Sequence, residues 1–389
     1  MNINAYSPQF SEPRYKLRKL GRRLLWALFV SAVVGFGLLV AAQATDQDLT
    51  SLLPHSTKPV QEVPAKGYGF STSLVGLSAP ELDKQLSAMQ AAGASWVRYD
   101  LSWDAVQHNS PTSYDWSNYD ALTTAAAGHG MKVVMVLDFA PPWARPASCT
   151  TNHPEMCGPS DPAAYGRFAA AAVQHYRPYG VEDWEIWNEP NISYRFRPAA
   201  NPDLYVAMLK AAYTSIKQAD PHAEVIAAST APSASNAANY TPTDFLSAMY
   251  DAGAGGYFDA ISAHPYTYPN TPAQANPADA WGQLTTMHDV MAAHGDAAKQ
   301  IWITEFGAPT NGPNEAGDHV SEAVQAQILT EAAQIFHGFS WSGPFMWYGY
   351  QDAGNHTWTS EDFYGLVRYD GGFKPSFYAY KDAAAKYGK

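Results

Sequence analysis

The chain has 389 residues with a formal net charge of −12; 46% are hydrophobic and only 15% charged. This length suits one large domain or two small ones, with ample apolar material for a core. The charge is uneven. Beyond residue 44 remain 18 of the 24 basic and 35 of the 36 acidic residues, a body that repels nucleic acid and anionic polymers and favours a neutral substrate.

Residues 1–23 are basic, with Arg14, Lys16, Arg18, Lys19, Arg22 and Arg23 against Glu12 alone. Leu24–Ala42 follows as an uncharged run rich in Leu, Val, Phe and Ala. As a helix it would extend ~28 Å, about the thickness of a bilayer core. It reads as a transmembrane signal anchor, or as a signal peptide cleaved near Ala42-Gln43-Ala44. Either places the body outside the cytoplasm, secreted or held to a membrane by this segment. Residues 45–66 carry Pro54, Pro59 and Pro64 without periodicity and read as a linker.

From residue 67 to 389 short strand patterns alternate with amphipathic ones. The predicted strands are Gly69–Leu74, Trp96–Leu101, Val133–Phe139, Asp183–Trp187, Glu224–Ala228, Ala260–His264, Ile301–Thr304 and Pro344–Gly349. Between them the spacing predicts helices over Pro80–Ala91, Trp116–Gly128, Pro162–Tyr176, Pro202–Gln218, Pro242–Ala252, Ala280–Ala293, Val320–Phe336 and Pro375–Tyr387. Ser78, Asp161 and Asn201 precede Pro80, Pro162 and Pro202 as N-terminal signals. Eight such alternations make an α/β fold, a (β/α)8 TIM barrel, the leading architecture, ahead of a doubly wound open sheet. The eighth helix reaches the end of the chain, so no appended binding domain is expected. Cys149 and Cys157 lie in a loop-like stretch and are expected to form a disulfide in an oxidising compartment; a metal site with His153 is the weaker alternative.

Barrel sites form at the C-terminal ends of strands. The fourth strand ends in Trp187-Asn188-Glu189-Pro190-Asn191, the seventh in Glu305-Phe306-Gly307. Two glutamates at such ends are the pair that cleavage of a glycosidic bond with retention requires, one protonating the leaving oxygen and one attacking the anomeric carbon. Glu182, Asp183 and Glu185 read as solvated or internal strand partners.

With these motifs the sequence resembles the clan A glycoside hydrolases over the whole body. It looks most like family 39 and its compact bacterial relatives, with family 5 a near neighbour. The resemblance implies a retaining glycosidase acting on an oligo- or polysaccharide, with Glu189 as acid/base and Glu305 as nucleophile. Asn188 would bond a sugar 2-hydroxyl. Arg98, in Trp-Val-Arg-Tyr, would steady the nucleophile. Tyr266 would donate to the nucleophile, and His264 would line the sugar site. Trp347 suits an aromatic floor under the reacting sugar. Asp138, at the end of the third strand, points to the site if the register holds. Trp103, Trp143 and Tyr268 are candidates for further subsites. The β-sandwich domain of family 39 xylosidases is lacking, which argues against a xylosidase. No metal or organic cofactor is implied, the chemistry being acid–base and nucleophilic. A transglycosylase using the same intermediate and an inactive carbohydrate-binding barrel are the other readings. Loops at 145–161, 266–278 and 352–362 are expected to shape the cleft.

Overall fold

The computed structural model describes residues 66–313 and 317–388. The basic segment 1–23, the apolar run Leu24–Ala42 and the linker up to residue 65 lie outside them. No helix among the described residues is long and apolar enough to cross a membrane.

In chain order the elements are β1 (Tyr68–Ser71), α1 (Ala79–Ala91), β2 (Trp96–Ser102), α2 (Trp103–Val106), α3 (Ser117–Gly128), β3 (Lys132–Asp138), α4 (Pro162–Tyr176), β4 (Asp183–Ile186), α5 (Pro202–Ala219), β5 (Glu224–Thr230), α6 (Pro242–Asp251), β6 (Ala260–Ala263), α7 (Gln283–Ala293), β7 (Ile301–Phe306), α8 (Glu322–His337), β8 (Ser342–Tyr348) and α9 (Pro375–Tyr387). The eight strands are all parallel and close in sequence order, β8 pairing with β1. This is the (β/α)8 barrel the alternation predicts. The short helix α2 is an addition, opened by the Ser102 side chain accepting from the Ala105 amide.

Local chemistry sets the helix starts. The Ser78 side chain and Glu81 form a capping box on α1, while Asp161 and Asn201 each accept from a first-turn amide before a proline. Proline fits there because the first helical amide has no partner within the helix.

Side chains alternate along each strand, so one set fills the barrel and the other packs under the helices. Trp96, Val134, Ile226, Ala260, Trp302 and Met346 form the inner layer, with Trp96 edge-on to Trp302 at 5.3 Å between centroids. Two glycines make room for these rings. A Cβ on Gly67 would collide with the Trp96 ring, and one on Gly343 with the Trp302 ring. The inner layer closes the base of the barrel and leaves its polar residues at the C-terminal mouth.

Cys149 and Cys157 are joined by a disulfide. The loop they close is pinned to its surroundings: the Ala140 amide donates to Glu155 O, and the Arg197 amide to Met156 O. The loop after β3 therefore braces the loop after β4.

Candidate active site

Arg98 stands at the centre of the mouth. It lies on the inward face of β2, two residues above Trp96, and is 1% exposed. Its Nε donates to Glu185 Oε2 (2.6 Å), Nη1 to Ser71 Oγ (3.0 Å) and to Glu305 Oε1 (2.5 Å), and Nη2 to Asn188 Oδ1 (2.8 Å). One guanidinium thus ties β1, β4 and β7 together, using its fixed fork geometry. Glu185 is the internal strand partner expected of it. It also accepts from Ser262 Oγ (2.5 Å) and Thr304 Oγ1 (2.8 Å).

Glu189 follows β4 on a strained turn. Trp187 and Glu189 both have positive φ, 64° and 51°, a region that side chains other than glycine rarely occupy. Ser229 holds this turn: its hydroxyl donates to Trp187 O (2.9 Å) and accepts from the Glu189 amide (3.1 Å). The turn sends Glu189 back over the barrel, where it is 2% exposed. Its Oε1 is 3.0 Å from His264 Nδ1, and its Oε2 is 3.4 Å from Arg195 Nε.

Glu305 reaches the lumen by an irregularity. Thr304 and Glu305 are consecutive, yet both bond inward groups, which strict alternation forbids. The pairing of β7 with β8 shifts register between Ile303 and Phe306, and a bulge there turns both inward. Besides Arg98, Glu305 accepts from Tyr266 Oη at its Oε2 (3.0 Å), with His264 Nδ1 3.7 Å away. Burial pushes this carboxyl up, but His264, Arg98, Arg195 and the Tyr266 hydrogen bond outweigh it and hold Glu305 below the usual carboxylate range.

His264 decides where a proton sits. Its Nε2 lies 3.1 Å from Thr304 Oγ1, whose own hydrogen is given to Glu185. Nε2 must then be the donor, which leaves Nδ1 as acceptor in the neutral ring. The Glu189–His264 contact therefore needs one proton, carried by either partner. An oxygen of Glu189, a ring nitrogen of His264 and an oxygen of Glu305 all lie within 4.8 Å of one another. Among the described residues this is the one group of donors close enough to hold a metal ion.

The structure brings Arg98, Asn188, Glu189, His264, Tyr266 and Glu305 together as the sequence implied. Asp138 also faces the lumen, with Asp100 and Arg98 among its charged neighbours. It is fully buried, however, and both its oxygens lack a hydrogen-bond partner, so it lies beneath the surface a sugar would touch. His264 is likewise fully buried, with its Nδ1 between Glu189 and Glu305.

Trp347 is a correction. Met346 belongs to the inner layer, so its neighbour Trp347 points outward, between barrel and helices. There it is 0% exposed, donates from Nε1 to Tyr364 O (2.9 Å) and meets the edge of Phe306, leaving no face for a sugar. The inward aromatic of β8 is Tyr348, whose hydroxyl donates to Glu361 Oε2 (3.3 Å). Trp103 is also buried, stacked on Phe168 with its Nε1 bonded to Gln107, and is part of the core. Trp143 and Tyr268 are half-buried; Tyr268 hydrogen-bonds Tyr364 Oη at 2.7 Å.

Four members went unread in the sequence: Asp100, Arg195, Tyr348 and Glu361. Asp100 sits two residues after Arg98 on one strand, and the period of two could have found it. Arg195 and Glu361 lie in loops, where no periodicity marks direction.

No curated protein matches the chain. Among solved structures it is similar to a family 39 glycoside hydrolase from the gut symbiont Bacteroides cellulosilyticus WH2, at 23% identity and TM-score 0.67, over 85% of this chain and 65% of that one. It is similar to GH5_18 from Streptomyces cattleya at 18% identity and TM-score 0.60, over 84% of this chain and 81% of that one. The exo-beta-1,4-mannosidase Op5Man5 from Opitutaceae bacterium strain TAV5 matches at 18% identity and TM-score 0.55, over 83% of this chain and 60% of that one. The chain thus spans less than two thirds of the length of the first and third, and at these identities the likeness is one of fold. The model of the cellulase family, glycosyl hydrolase family 5, matches residues 57–346. With most of its length matched and its carboxylates at the ends of β4 and β7, the chain belongs to the cellulase family, glycosyl hydrolase family 5.

Proposed function

We propose that the protein is a retaining glycoside hydrolase with Glu189 as acid/base and Glu305 as nucleophile. The observation that carries this reading is their closeness: an oxygen of each lies within 4.8 Å of an oxygen of the other. Retention needs carboxyl groups ~5–5.5 Å apart, whereas inversion needs ~6.5–9.5 Å to admit a water between them. The electrostatics divide the roles. Glu305, held ionised by Arg98 and Tyr266, is fit to attack an anomeric carbon. Glu189 shares a proton with His264 and can deliver it to the leaving oxygen, then take one from water as the glycosyl intermediate is hydrolysed. Asn188 has its carbonyl oxygen fixed by Arg98, which turns its amide hydrogens into the donor available to a sugar hydroxyl.

The disulfide supports export, since such bonds persist in oxidising compartments. We assign export and membrane attachment to Leu24–Ala42.

The test is hydrolysis of aryl glycosides and polysaccharides by the full-length protein and its Glu189→Gln, Glu305→Gln and Glu305→Ala variants. The expected result is loss of turnover in each variant, rescue of Glu305→Ala by azide, and a first product of retained anomeric configuration. An inverted product would refute the mechanism. Turnover surviving in both glutamine variants would refute the site.

A further inference from the structure

A cavity of about 350 Å³ opens between the loops that follow β7 and β8. Thr310 and Asn311 line it from the first loop, Asp352 and Asn355 from the second. Glu322, the first residue of α8, and Lys374, which precedes α9, complete its polar wall. In a barrel the helices begin on the face where the strands end, so this cavity sits over the helix layer, beside the mouth. The turn Ser360–Phe363 divides the two: Glu361 accepts from Tyr348 on the mouth side, and Phe363 lines the cavity.

Its walls are held in place. Lys374 is 1% exposed, and its ammonium donates to Asp352 Oδ1 (2.7 Å), Thr310 Oγ1 (2.8 Å) and Phe363 O (3.0 Å). Arg368 closes another side with a two-pronged pair to Glu322, Nε to Oε1 (2.7 Å) and Nη2 to Oε2 (2.6 Å). Both cations are therefore paired within the walls, and the cavity calls for no counter-ion. What it offers are the amides of Asn311 and Asn355 and the remaining lone pairs of the carboxylates, donors and acceptors suited to hydroxyl groups.

The rim is aromatic. Among the described residues the large hydrophobic side chains left exposed are Trp358, Tyr369, Phe373 and Tyr378, all in one stretch of the chain. Tyr369 lines the cavity and is 58% exposed. Phe373 follows the tight turn after it, its carbonyl held by Arg368 Nη1 (3.0 Å), and meets Tyr378 at 6.2 Å between centroids. Large rings gathered on one surface mark a contact with another molecule. An apolar partner would strip water from the amides and carboxylates without replacing it. A pyranose meets both parts, its apolar face against a ring and its hydroxyls against the polar wall.

Resting on the hydrolase reading above, we propose that this cavity is a second saccharide site, which holds a segment of a neutral polysaccharide outside the catalytic mouth. Tyr369 supplies the stacking face, and Asn311 and Asn355 bond the hydroxyls. A neutral chain also suits the acid-rich body, which would repel an anionic one. A polymer held beyond the Ser360–Phe363 turn raises the effective concentration of its own linkages at Glu189 and Glu305. The benefit goes to long substrates alone, because a short one cannot engage both places.

The experiment compares the full-length protein with its Tyr369→Ala and Asn355→Ala variants on soluble β-glucan, mannan and xylan and on aryl glycosides. Loss of one stacked ring or one hydrogen bond predicts a ~2- to 10-fold rise in KM on the polymer that is cleaved. On that polymer kcat should hold, and on the aryl glycoside neither constant should move. Calorimetry with the same polymers, in a Glu305→Gln background that prevents turnover, should show the same loss of affinity, circular dichroism showing the variants folded. A polymer KM and affinity that neither substitution moves would overturn the proposal, as would equal losses on polymer and aryl glycoside. So would failure to bind any of these polymers, or a dimer that Tyr369→Ala dissolves, which would assign the rings to a second copy of the chain. Polymer affinity that Tyr369→Ala weakens, without cleavage by the parent protein, sinks the hydrolase and leaves the second site standing; cleavage with unmoved affinities does the reverse.

Discussion

Replacing Arg98 by lysine keeps the buried charge and removes the fork. Nη1 serves Ser71 and Glu305, and a lysine Nζ placed at that corner can keep both. The bonds from Nε to Glu185 and from Nη2 to Asn188 are then lost, because one ammonium cannot occupy three corners. Two bonds to a charged group, at ~1.5–3 kcal/mol each, sum to about 3–6 kcal/mol. For a body of roughly 320 residues the unfolding entropy near the midpoint is ~0.7 kcal/mol per degree, so Tm should fall by roughly 5–9 °C. Activity should suffer separately, since the freed Asn188 amide can rotate; misplacement of a substrate-positioning group costs on the order of 100-fold in kcat/KM. Thermal unfolding at a fixed scan rate and steady-state kinetics on one active substrate measure both. A variant within ~2 °C and about twofold of the parent would refute the view that the fork geometry, and not the charge, assembles this site.

Tyr266→Phe removes a hydrogen bond that helps keep Glu305 below its usual range, so the acid limb of the pH–rate profile should move to higher pH and kcat should fall; an unmoved limb would count against Glu305 as the ionised nucleophile. Asp138→Asn should stabilise the protein at neutral pH by ~1–2 kcal/mol. Asp138 is raised in the fold by burial, so the wild type loses stability as pH climbs above the unfolded carboxyl value, and the gain should vanish in acid; a gain independent of pH would be the wrong outcome. Trp347→Phe should lower Tm and leave KM alone, whereas Tyr348→Phe should change KM; the reverse pattern would restore Trp347 to the sugar site. Replacing Cys149 and Cys157 by serine should cost ~2–3 kcal/mol, seen as a lower Tm that a reductant no longer affects.

The barrel and the position of two glutamates at its mouth were legible because both follow from periodic rules. Alternating strands and helices gave the order, and the ends of β4 and β7 placed Glu189 and Glu305. The same rule misled at Trp347. Recognising an aromatic on β8 was not enough, because neighbouring residues face opposite sides, and only packing of Met346 inside reveals which. Glu305 breaks the alternation outright, through a bulge that leaves no trace in composition. Arg195 and Glu361 come from loops whose direction is set by the body they fold against. The disulfide was expected from two cysteines in a loop-like stretch of a chain read as exported, but its contact with the loop of Arg197 was not.

That contact gives the small cystine loop a reach beyond its own residues. It backs the segment carrying Arg195, the cation beside Glu189, through the Met156–Arg197 bond. Oxidation of one thiol pair thus helps fix the wall beside Glu189. A chain made where thiols stay reduced would keep Glu305, anchored in the barrel by Arg98, while the opposite wall loosened. On the proposed reading, full activity would then depend on that oxidation.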